Sequence, residues 1–371
     1  MVKENVWGIF LVLIIFNCVL LHFNNLARKR FFQPIPSSKR LMIFLLLTFL
    51  GIIGLQQGDY FGYLDEVKEI ARTPESYGRV THLEPQYETL ARIVNGNYIL
   101  WRFIIFGGQF AILLYYLRKS DLFTYGYLFF FSSICLSGMI VGRTSWGVVL
   151  FFCSIYYALQ NKDYKHILVA PLCLFSHTSL VVLLAIIPLV FFRINKKSFL
   201  FFLILFFVLT YALKYVFDNI PMLSAYEQAE ILSQKMESYT DPNRENAIGF
   251  WGNSIGAKLT SVPQKTGLLA LLIILLYTGY KNKERVEKGI HFLLLACLFL
   301  VMFSFVMLNG KFGAGTLSYR FFDMIHLPIS IAFYYYYRNG LVSKRLYSFF
   351  ITIFIISLEF SLIVPLYYNS L

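Results

Sequence analysis

Long runs of apolar residues, separated by short polar segments, dominate the pattern of this chain. A helix needs about 20 residues to cross the hydrocarbon core of a bilayer, and most of the runs approach that length. A membrane barrel would instead show strands of about ten residues in which apolar and polar positions alternate. The pattern therefore predicts about 11–12 transmembrane helices. The runs fall at 6–23, 41–56, 98–117, 122–141, 144–160, 167–192, 198–217, 264–280, 289–308, 319–337 and 346–366.

The composition is typical of a protein that lies in lipid. Hydrophobic residues make up 58% of the 371 positions and charged residues 14%, whereas an average soluble chain carries roughly 25% charged residues. Hydrocarbon requires every backbone polar group to be bonded within the protein, which leaves helices or closed barrels. The expected fold class is an all-α integral membrane protein, with residues 1–371 forming a single transmembrane domain.

Basic residues are concentrated in the short connections between the runs. Such clusters mark the cytoplasmic side of a membrane protein. The net charge of +13 therefore reflects topology, and no nucleic acid is expected as a partner. The clusters contain Arg28, Lys29, Arg30, Lys39 and Arg40; Arg118 and Lys119; Lys162 and Lys165; Arg193, Lys196 and Lys197; Lys281, Lys283, Arg285 and Lys288; and Arg338, Lys344 and Arg345.

The run 167–192 begins after one basic cluster and ends at another, so it has to cross an even number of times. It is too short for two full spans of about 20 residues. We therefore predict a broken hairpin of two short helices that turns near Ser176-His177-Thr178, which membranes tolerate where the break lines a cavity. The alternative is one long tilted span. With the hairpin, both chain ends lie outside.

Two long polar loops, 57–97 and 218–263, then share the outer side. Connections of this length are uncommon in compact domains unless they are functional. We expect each loop to contain short amphipathic helices at the membrane interface. The first loop is rich in tyrosine and acidic residues, which suits sugars, because Tyr stacks on apolar ring faces and carboxylates accept hydroxyl hydrogen bonds.

Ionisable residues within membrane spans are costly, about 2.5 to 3.5 kcal/mol at a helix centre, and are functional candidates by default. Here they gather at the outer ends of the spans. They are Asp59, Arg143, His177, Arg320, Asp323 and His326. A cluster of Arg, His and carboxylate at one depth favours a phosphorylated substrate, because the guanidinium fork matches phosphate oxygens.

Each of these residues also has a structural interpretation. Arg143 can anchor a span at the headgroups, and Arg320 can form a neutralised pair with Asp323 one turn later. His177 can cap a helix end, and Asp59 can be an N-cap. Glu359, in the last span, is either a buried neutral carboxyl or the partner of a nearby arginine.

The same positions carry motifs of a known family. In chain order they are Gly58-Asp59-Tyr60-Phe61-Gly62-Tyr63, Glu84-Pro85-Gln86-Tyr87, Arg143-Thr144-Ser145-Trp146-Gly147, Phe175-Ser176-His177-Thr178-Ser179 and Ser318-Tyr319-Arg320-Phe321. In order and spacing the chain resembles the EpsG-like branch of the Wzy polysaccharide polymerases. It departs from that pattern at Thr144, usually Gln, at Gly147, usually Ala, and at Ser176, which separates Phe175 from His177.

The resemblance implies a metal-independent glycosyltransferase of the bacterial inner membrane, with a GT-C-like bundle and a multi-pass topology. Such an enzyme joins undecaprenyl-diphosphate-linked repeat units at the periplasmic face. Membrane lipid surrounds it, and a chain-length regulator and a flippase of the same pathway are candidate partners. No cofactor is expected, and the five cysteines lie within apolar runs without CxxC spacing, which predicts neither a disulfide nor a metal cluster.

On this interpretation the site residues take two roles. Arg143 and Arg320 stabilise the leaving diphosphate, and Asp59, Glu84 and His177 are general-base candidates in falling order. Substrate-binding candidates are Tyr60, Tyr63, Tyr87, Tyr319, Asp323 and His326. Tyr60 and Tyr63 would share one face of a helix and form a sugar platform.

Three rival functions stay open at this point. An O-antigen ligase would use the same donor with another acceptor, and a membrane acyltransferase would place its histidine deeper. A flippase or other transporter would carry charge near the bilayer midplane and often show inverted repeats, neither of which this sequence has.

Overall fold

A computed structural model describes the backbone of residues 2–53, 60–72, 85–118, 122–135, 144–223, 255–309 and 315–370. Over these ranges the chain is helical apart from short turns and one isolated bridge between Pro34 and Thr124. The α-helices are α1 (Val2–Arg30), α2 (Ser37–Ile53), α3 (Tyr60–Arg72), α4 (Pro85–Ile93), α5 (Tyr98–Leu117), α6 (Tyr125–Ile134), α7 (Ser145–Asn161), α8 (Val181–Leu184), α9 (Lys196–Leu223), α10 (Ile255–Lys281), α11 (Lys288–Asn309), α12 (Gly315–Asp323), α13 (His326–Arg338) and α14 (Lys344–Ser370). Short 3₁₀ helices occupy Tyr164–Phe175, Thr178–Leu180 and Ile187–Phe191.

The protein is an all-α integral membrane protein, as predicted. Three stretches qualify as membrane spans by length and composition: Tyr98–Leu117, Ser261–Lys281 and Lys288–Leu308. Three more helices, α1, α9 and α14, are 29, 28 and 27 residues long, which exceeds the length a crossing needs. Each predicted apolar run coincides at least in part with a helix.

Helix α11 lies at the centre of the bundle, and α9 lies at its edge. In α11, 83% of the most apolar window is buried. Helix α9 exposes Leu200, Leu203, Ile204 and Phe207, although Phe202 is buried. A stripe of this kind would be a liability in water, but lipid tails are as apolar as leucine. The exposed side chains of α9 therefore face lipid.

The predicted hairpin is present, because both of its ends lie beside the same basic connection. The Lys288 ammonium is 6.0 Å from the centroid of the Tyr164 ring at the first end. At the second end the backbone N–H of Ile194 donates to His291 Nδ1 over 3.4 Å. The chain turns at His177 between these points. The alternative of one long tilted span is wrong.

The 3₁₀ geometry lengthens the first leg of this short hairpin. A 3₁₀ helix rises about 2.0 Å per residue, against 1.5 Å for an α-helix, so twelve residues span about 24 Å. The first leg, Tyr164–Phe175, has 12 residues. Its end keeps the tighter pattern, with the Ser176 N–H bonded to the Cys173 carbonyl over 3.0 Å.

A second break, which the sequence analysis did not anticipate, divides the run 319–337 into α12 and α13 at Met324–Ile325. Pro328 lies four residues beyond Met324. A proline ring clashes with the carbonyl four residues earlier and supplies no N–H to it. Next to the break, the Asp323 carbonyl accepts a hydrogen bond from His326 Nδ1 over 2.7 Å.

The outer loops differ from prediction in extent. The first contains amphipathic helices, α3 and α4, as expected, and they pack against the start of α5. Helix α9 continues to Leu223 and α10 begins at Ile255, so both reach into the predicted loop 218–263. Most of that loop, residues 224–254, lies outside the described residues.

The hairpin predicts which single-cysteine variants share a side of the membrane. In a background without the five native cysteines, Lys162→Cys and Lys196→Cys should react with a membrane-impermeant thiol reagent from the same side. Thr89→Cys, at an exposed position of α4, should react only from the other side. Labelling of positions 162 and 196 from opposite sides would show that the segment crosses once.

Candidate active site

Several of the predicted site residues lie outside the part of the chain whose side chains the structure describes. Asp59, Glu84 and Arg143 lie outside the described residues, and of Tyr60 and Tyr63 only the helical backbone of α3 is described. Their roles stay predictions. The remaining candidates lie on the hairpin tip, on α4 and on the broken helix α12–α13.

The hairpin tip packs tightly against the start of α7. A Cβ placed on Gly147 would lie 2.7 Å from the Ser176 Cβ and 2.9 Å from the Cys173 carbonyl oxygen. Only glycine leaves room for the tip at this contact. The motif that follows Arg143 is therefore brought against the motif that contains His177.

His177 makes the capping contact that the structural interpretation expected. Its Nδ1 accepts a hydrogen bond from the Ser179 N–H over 3.0 Å, at the start of the turn Thr178–Leu180. Because Nδ1 is an acceptor here, the neutral ring carries its proton on Nε2. The cap therefore fixes the ring and makes Nε2 a hydrogen-bond donor.

The first outer loop is held to the membrane domain by a small aromatic core. The Tyr87 hydroxyl donates to Glu66 over 2.9 Å, and its ring lies edge-on to Trp101 at 5.2 Å. Trp146 packs against this small core and also against the large hydrophobic core of the helical bundle. The core thus joins helices α3 and α4 to the start of α7, and Tyr87 is buried within it. A sugar-binding role for Tyr87 stays a prediction.

Arg102 is a buried charge that the sequence analysis missed. It is 5% exposed, and its Nη2 donates to the Gly51 carbonyl over 2.7 Å. The guanidinium also lies over the rings of Tyr98 and Phe106, at 5.7 and 5.3 Å. The signal was present in the sequence, since Arg102 is an ionisable residue inside the apolar run 98–117.

Helix α12 carries Arg320 and is tied to the central helix α11 at two points. Ser304 and Ser318 exchange hydrogen bonds in which each hydroxyl donates to the carbonyl of the other residue over 2.7 Å. The Phe321 ring lies edge-on to Phe303 at 4.9 Å. These contacts fix the helix on which Arg320 lies half-buried.

The neighbouring side chains of α12 face a lysine on α10. The Lys265 ammonium lies 4.1 Å from the centroid of the Tyr319 ring, and Lys265 is 1% exposed. The predicted pair of Arg320 with Asp323 is absent from the described ion pairs. The sequence analysis overlooked Lys265, at the edge of the run 264–280.

His326 closes this group. Its Nδ1 has to be the donor to the Asp323 carbonyl, because a carbonyl oxygen only accepts. Its Nε2 lies 3.1 Å from the side-chain amide nitrogen of Gln264 and accepts from it. The His326 carbonyl in turn accepts from the Cys135 thiol over 3.4 Å. Both ring nitrogens are thus engaged within the protein, and substrate binding by His326 stays a prediction.

The hairpin tip, which packs on Gly147, and the group that contains Lys265 and His326 lie at the same end of the bundle. With a rise of 1.5 Å per residue, Gly147, Lys265 and His326 lie about 21, 24 and 18 Å from the basic ends of their helices. Helix α7 contacts the hairpin on one side and α13 on the other. The end opposite the basic connections therefore combines cations, a histidine donor and carboxylates. Among the described residues, no three His, Cys, Asp or Glu side chains are placed to hold a metal ion.

Glu359 has a partner that sequence reasoning did not identify. Its Oε2 accepts a hydrogen bond from the Asn17 side chain over 3.1 Å. The two residues join α14 to α1. This contact favours a structural role for Glu359.

Comparison with known protein families gives a match. The model of the EpsG family matches residues 39–370, which is nearly the whole chain. Neither the comparison with curated proteins nor the comparison with solved structures finds a match.

The contact at the hairpin tip predicts an asymmetry between two glycines. Gly147→Ala should destabilise the protein by about 1–3 kcal/mol, because the added methyl group overpacks against backbone. Gly108, on α5, has nothing within 4 Å of an added Cβ, so Gly108→Ala is the matched control. Thermal unfolding of the detergent-solubilised proteins measures both. Equal midpoints would show that the tip does not pack on α7 as described.

Proposed function

This chain belongs to the EpsG family, and we propose that it is a polysaccharide polymerase of the bacterial inner membrane. Its substrates are repeat units linked to undecaprenyl diphosphate, and its site faces the periplasm. The observation that carries the proposal is the half-buried Arg320 on a fixed helix, at the end of the bundle opposite the basic connections.

The proposed reaction transfers a glycan between two lipid-linked molecules. A hydroxyl of the acceptor repeat unit attacks the anomeric carbon of the donor glycan, and a new C–O bond forms there. The bond from that carbon to the diphosphate oxygen breaks, and undecaprenyl diphosphate leaves with the bonding electrons. The hydroxyl proton passes to a carboxylate of the protein. Neither nucleotide nor metal takes part in this scheme.

Arg320 and Arg143 are proposed to bind the leaving diphosphate. Negative charge develops on the leaving oxygens, and donors placed in advance stabilise the transition state most when water is excluded. Arginine suits this role, since its planar fork makes paired hydrogen bonds to phosphate oxygens. Arg320 lies half-buried on a helix that is fixed to α11, which supports its use for a substrate anion.

The tautomer of His177 bears on the choice of base. A ring with its proton on Nε2 donates a hydrogen bond and does not take a proton at that atom. We therefore assign His177 to the leaving diphosphate, as a donor. Asp59 and Glu84, both on the first outer loop, are then the candidates for the general base.

The first loop is proposed to hold the sugars. Helices α3 and α4 are anchored to α5 and α7 through the aromatic core around Trp101 and Trp146. This core keeps α3 and α4 at the end of the bundle opposite the basic connections. Tyr60 and Tyr63 on α3 would then provide a platform for a sugar ring.

Loss of either arginine should stop chain extension. In a deletion strain, Arg143→Ala or Arg320→Ala should give a single repeat unit on the surface glycan in place of a ladder, with activity reduced at least about 100-fold. Arg320→Lys should also fail, because an ammonium does not reproduce the bidentate fork. Arg345→Lys, in the basic connection at the opposite end, is the control.

A gel of the surface glycan reads out these variants. Loss of a ligase or a flippase would leave no glycan attached at all, whereas loss of a polymerase leaves one unit. A normal ladder from both alanine variants would show that neither Arg143 nor Arg320 is needed for polymerisation.

Two substitutions separate the capping role of His177 from its proposed donor role. The Asn side-chain oxygen occupies the place of Nδ1 and can accept from the Ser179 N–H, but Asn does not reach the position of Nε2. His177→Asn should therefore keep the protein level and lose about 100-fold or more in polymerisation. His177→Ala should in addition lower thermal stability. Full activity of His177→Asn would show that His177 only caps the turn and does not act as a donor.

A further inference from the structure

We propose that the lipid-facing surface of α1 and α14 is an interface with a second copy of this chain. Its centre is the hydrogen-bonded pair of Asn17 and Glu359, which lies within the membrane. The inference goes beyond the proposed function and does not depend on it. Neither the family match nor the sequence motifs assign a role to this surface.

The pair lies deep within the hydrocarbon core. Glu359 lies on α14, which begins at the basic residue Lys344, and Asn17 lies on α1, which ends at Arg30. With a rise of 1.5 Å per residue, the two residues lie about 22 and 20 Å from these basic ends. The core is about 30 Å thick. A polar side chain at this depth is costly unless it has a hydrogen-bond partner.

The contacts within the chain use only part of the pair. Asn17 Nδ2 donates to the Leu13 carbonyl and to Glu359 Oε2, each over 3.1 Å. These two bonds engage both amide hydrogens. Among the residues that the structure describes, no group bonds Asn17 Oδ1 or the second oxygen of Glu359. Both side chains are half-buried, so the pair is not sealed inside the bundle.

The unused atoms of the pair are complementary to themselves. The neutral form of a carboxyl, which hydrocarbon favours over a charge, has one O–H donor, and the oxygen of the Asn17 amide is an acceptor. Two copies in one membrane place these groups at the same depth. The Glu359 carboxyl of each copy can then donate to the Asn17 amide oxygen of the other. A two-fold axis forms both bonds at once.

The exposed residues beside the pair form one surface. They are Leu11, Ile14, Cys18 and Leu21 on α1, and Phe349, Thr352, Ile356 and Phe360 on α14. Steps of three or four residues keep each set on one face of its helix. Each set lies about a quarter turn beyond the polar residue, in the direction of the chain. Because α1 and α14 are antiparallel, both sets face the same side of the pair.

Lipid alone does not satisfy this surface. The exposed stripe of α9 is apolar, and lipid tails cover such a stripe at no cost. The surface of α1 and α14 differs because a carboxyl and an amide lie at its seam, and hydrocarbon offers them no hydrogen bond. Polar side chains of this kind bond across helices in membranes. A second copy supplies the matching groups at the matching depth.

Energy transfer between copies of the full chain in lipid vesicles tests the inference. Cys18 is exposed, and the other four cysteines are buried. A parent protein with Cys18→Ala and Lys196→Cys therefore carries one dye on each copy, away from the proposed interface. Copies with donor and acceptor dyes are mixed and diluted with lipid, and the dilution series gives the dissociation constant. We expect the parent protein to associate.

Removal of the carboxyl should weaken this association. Glu359→Leu should raise the dissociation constant at least about tenfold, because both bonds between the copies are lost. Glu359→Gln should stay within about threefold of the parent, since its amide supplies both an N–H donor and an acceptor. Thermal unfolding of each variant in detergent accompanies the measurement, because the contact with Asn17 also stabilises the single copy.

A second pair of variants leaves the contact between Asn17 and Glu359 intact. Ile14 on α1 and Leu203 on α9 are 44% and 55% exposed. Ile14→Trp adds bulk to the proposed interface and should weaken association at least about tenfold. Leu203→Trp adds the same bulk to the lipid-facing stripe of α9 and is the matched control, with the affinity of the parent. If Glu359→Leu does not accumulate, this pair decides.

The outcomes are distinct and involve no measurement of polymerisation. Retained association in Glu359→Gln, together with the difference between the two tryptophan variants, supports the interface. A parent protein that stays monomeric at every lipid dilution overturns it. A folded Glu359→Leu or Ile14→Trp variant that associates as the parent does also overturns it, as does an association that Leu203→Trp disrupts instead.

Discussion

Everything in this structure depends on the absence of water from the bilayer core. Each backbone donor and acceptor there has to be bonded within the protein, and each charge needs a partner. The chain meets the first demand with helices and the second by placing most ionisable side chains at the ends of the spans. Where a helix breaks inside this environment, side chains have to replace the lost backbone bonds.

The two breaks show how that requirement places chemistry. At the hairpin tip, the His177 ring accepts the Ser179 N–H. At the α12–α13 break, the His326 ring donates to the Asp323 carbonyl. In both places an imidazole forms a hydrogen bond with a backbone group beside the break. The breaks therefore bring polar side chains into the membrane domain, and the site we propose is assembled around them.

Those features that follow from local pattern were predictable from the sequence. The helices follow from the apolar runs, and the hairpin followed from the basic clusters at both of its ends. The break at Met324–Ile325 also had a local signal, namely Pro328. It was not predicted because the apolar pattern continues across the break.

Pairing between distant segments was not predictable. Asn17 and Glu359 are 342 positions apart, and nothing local relates them. The same holds for Lys265, whose ammonium lies over the ring of Tyr319 on another helix. Composition and periodicity identify the ionisable residues that are costly within a membrane span. Only the packing of the helices determines which of them are in contact. The family match supports the general function, while the roles of single residues depend on these contacts.

The central claim is that Arg320 and Arg143 grip a lipid diphosphate at the end of the bundle opposite the basic connections. An experimental structure with a polyprenyl diphosphate bound tests this most directly. We expect phosphate oxygens within hydrogen-bonding distance of both guanidinium groups, with the isoprenoid tail extending into the bilayer. A diphosphate bound beside the basic connections, or arginines that point into lipid away from it, would contradict the account.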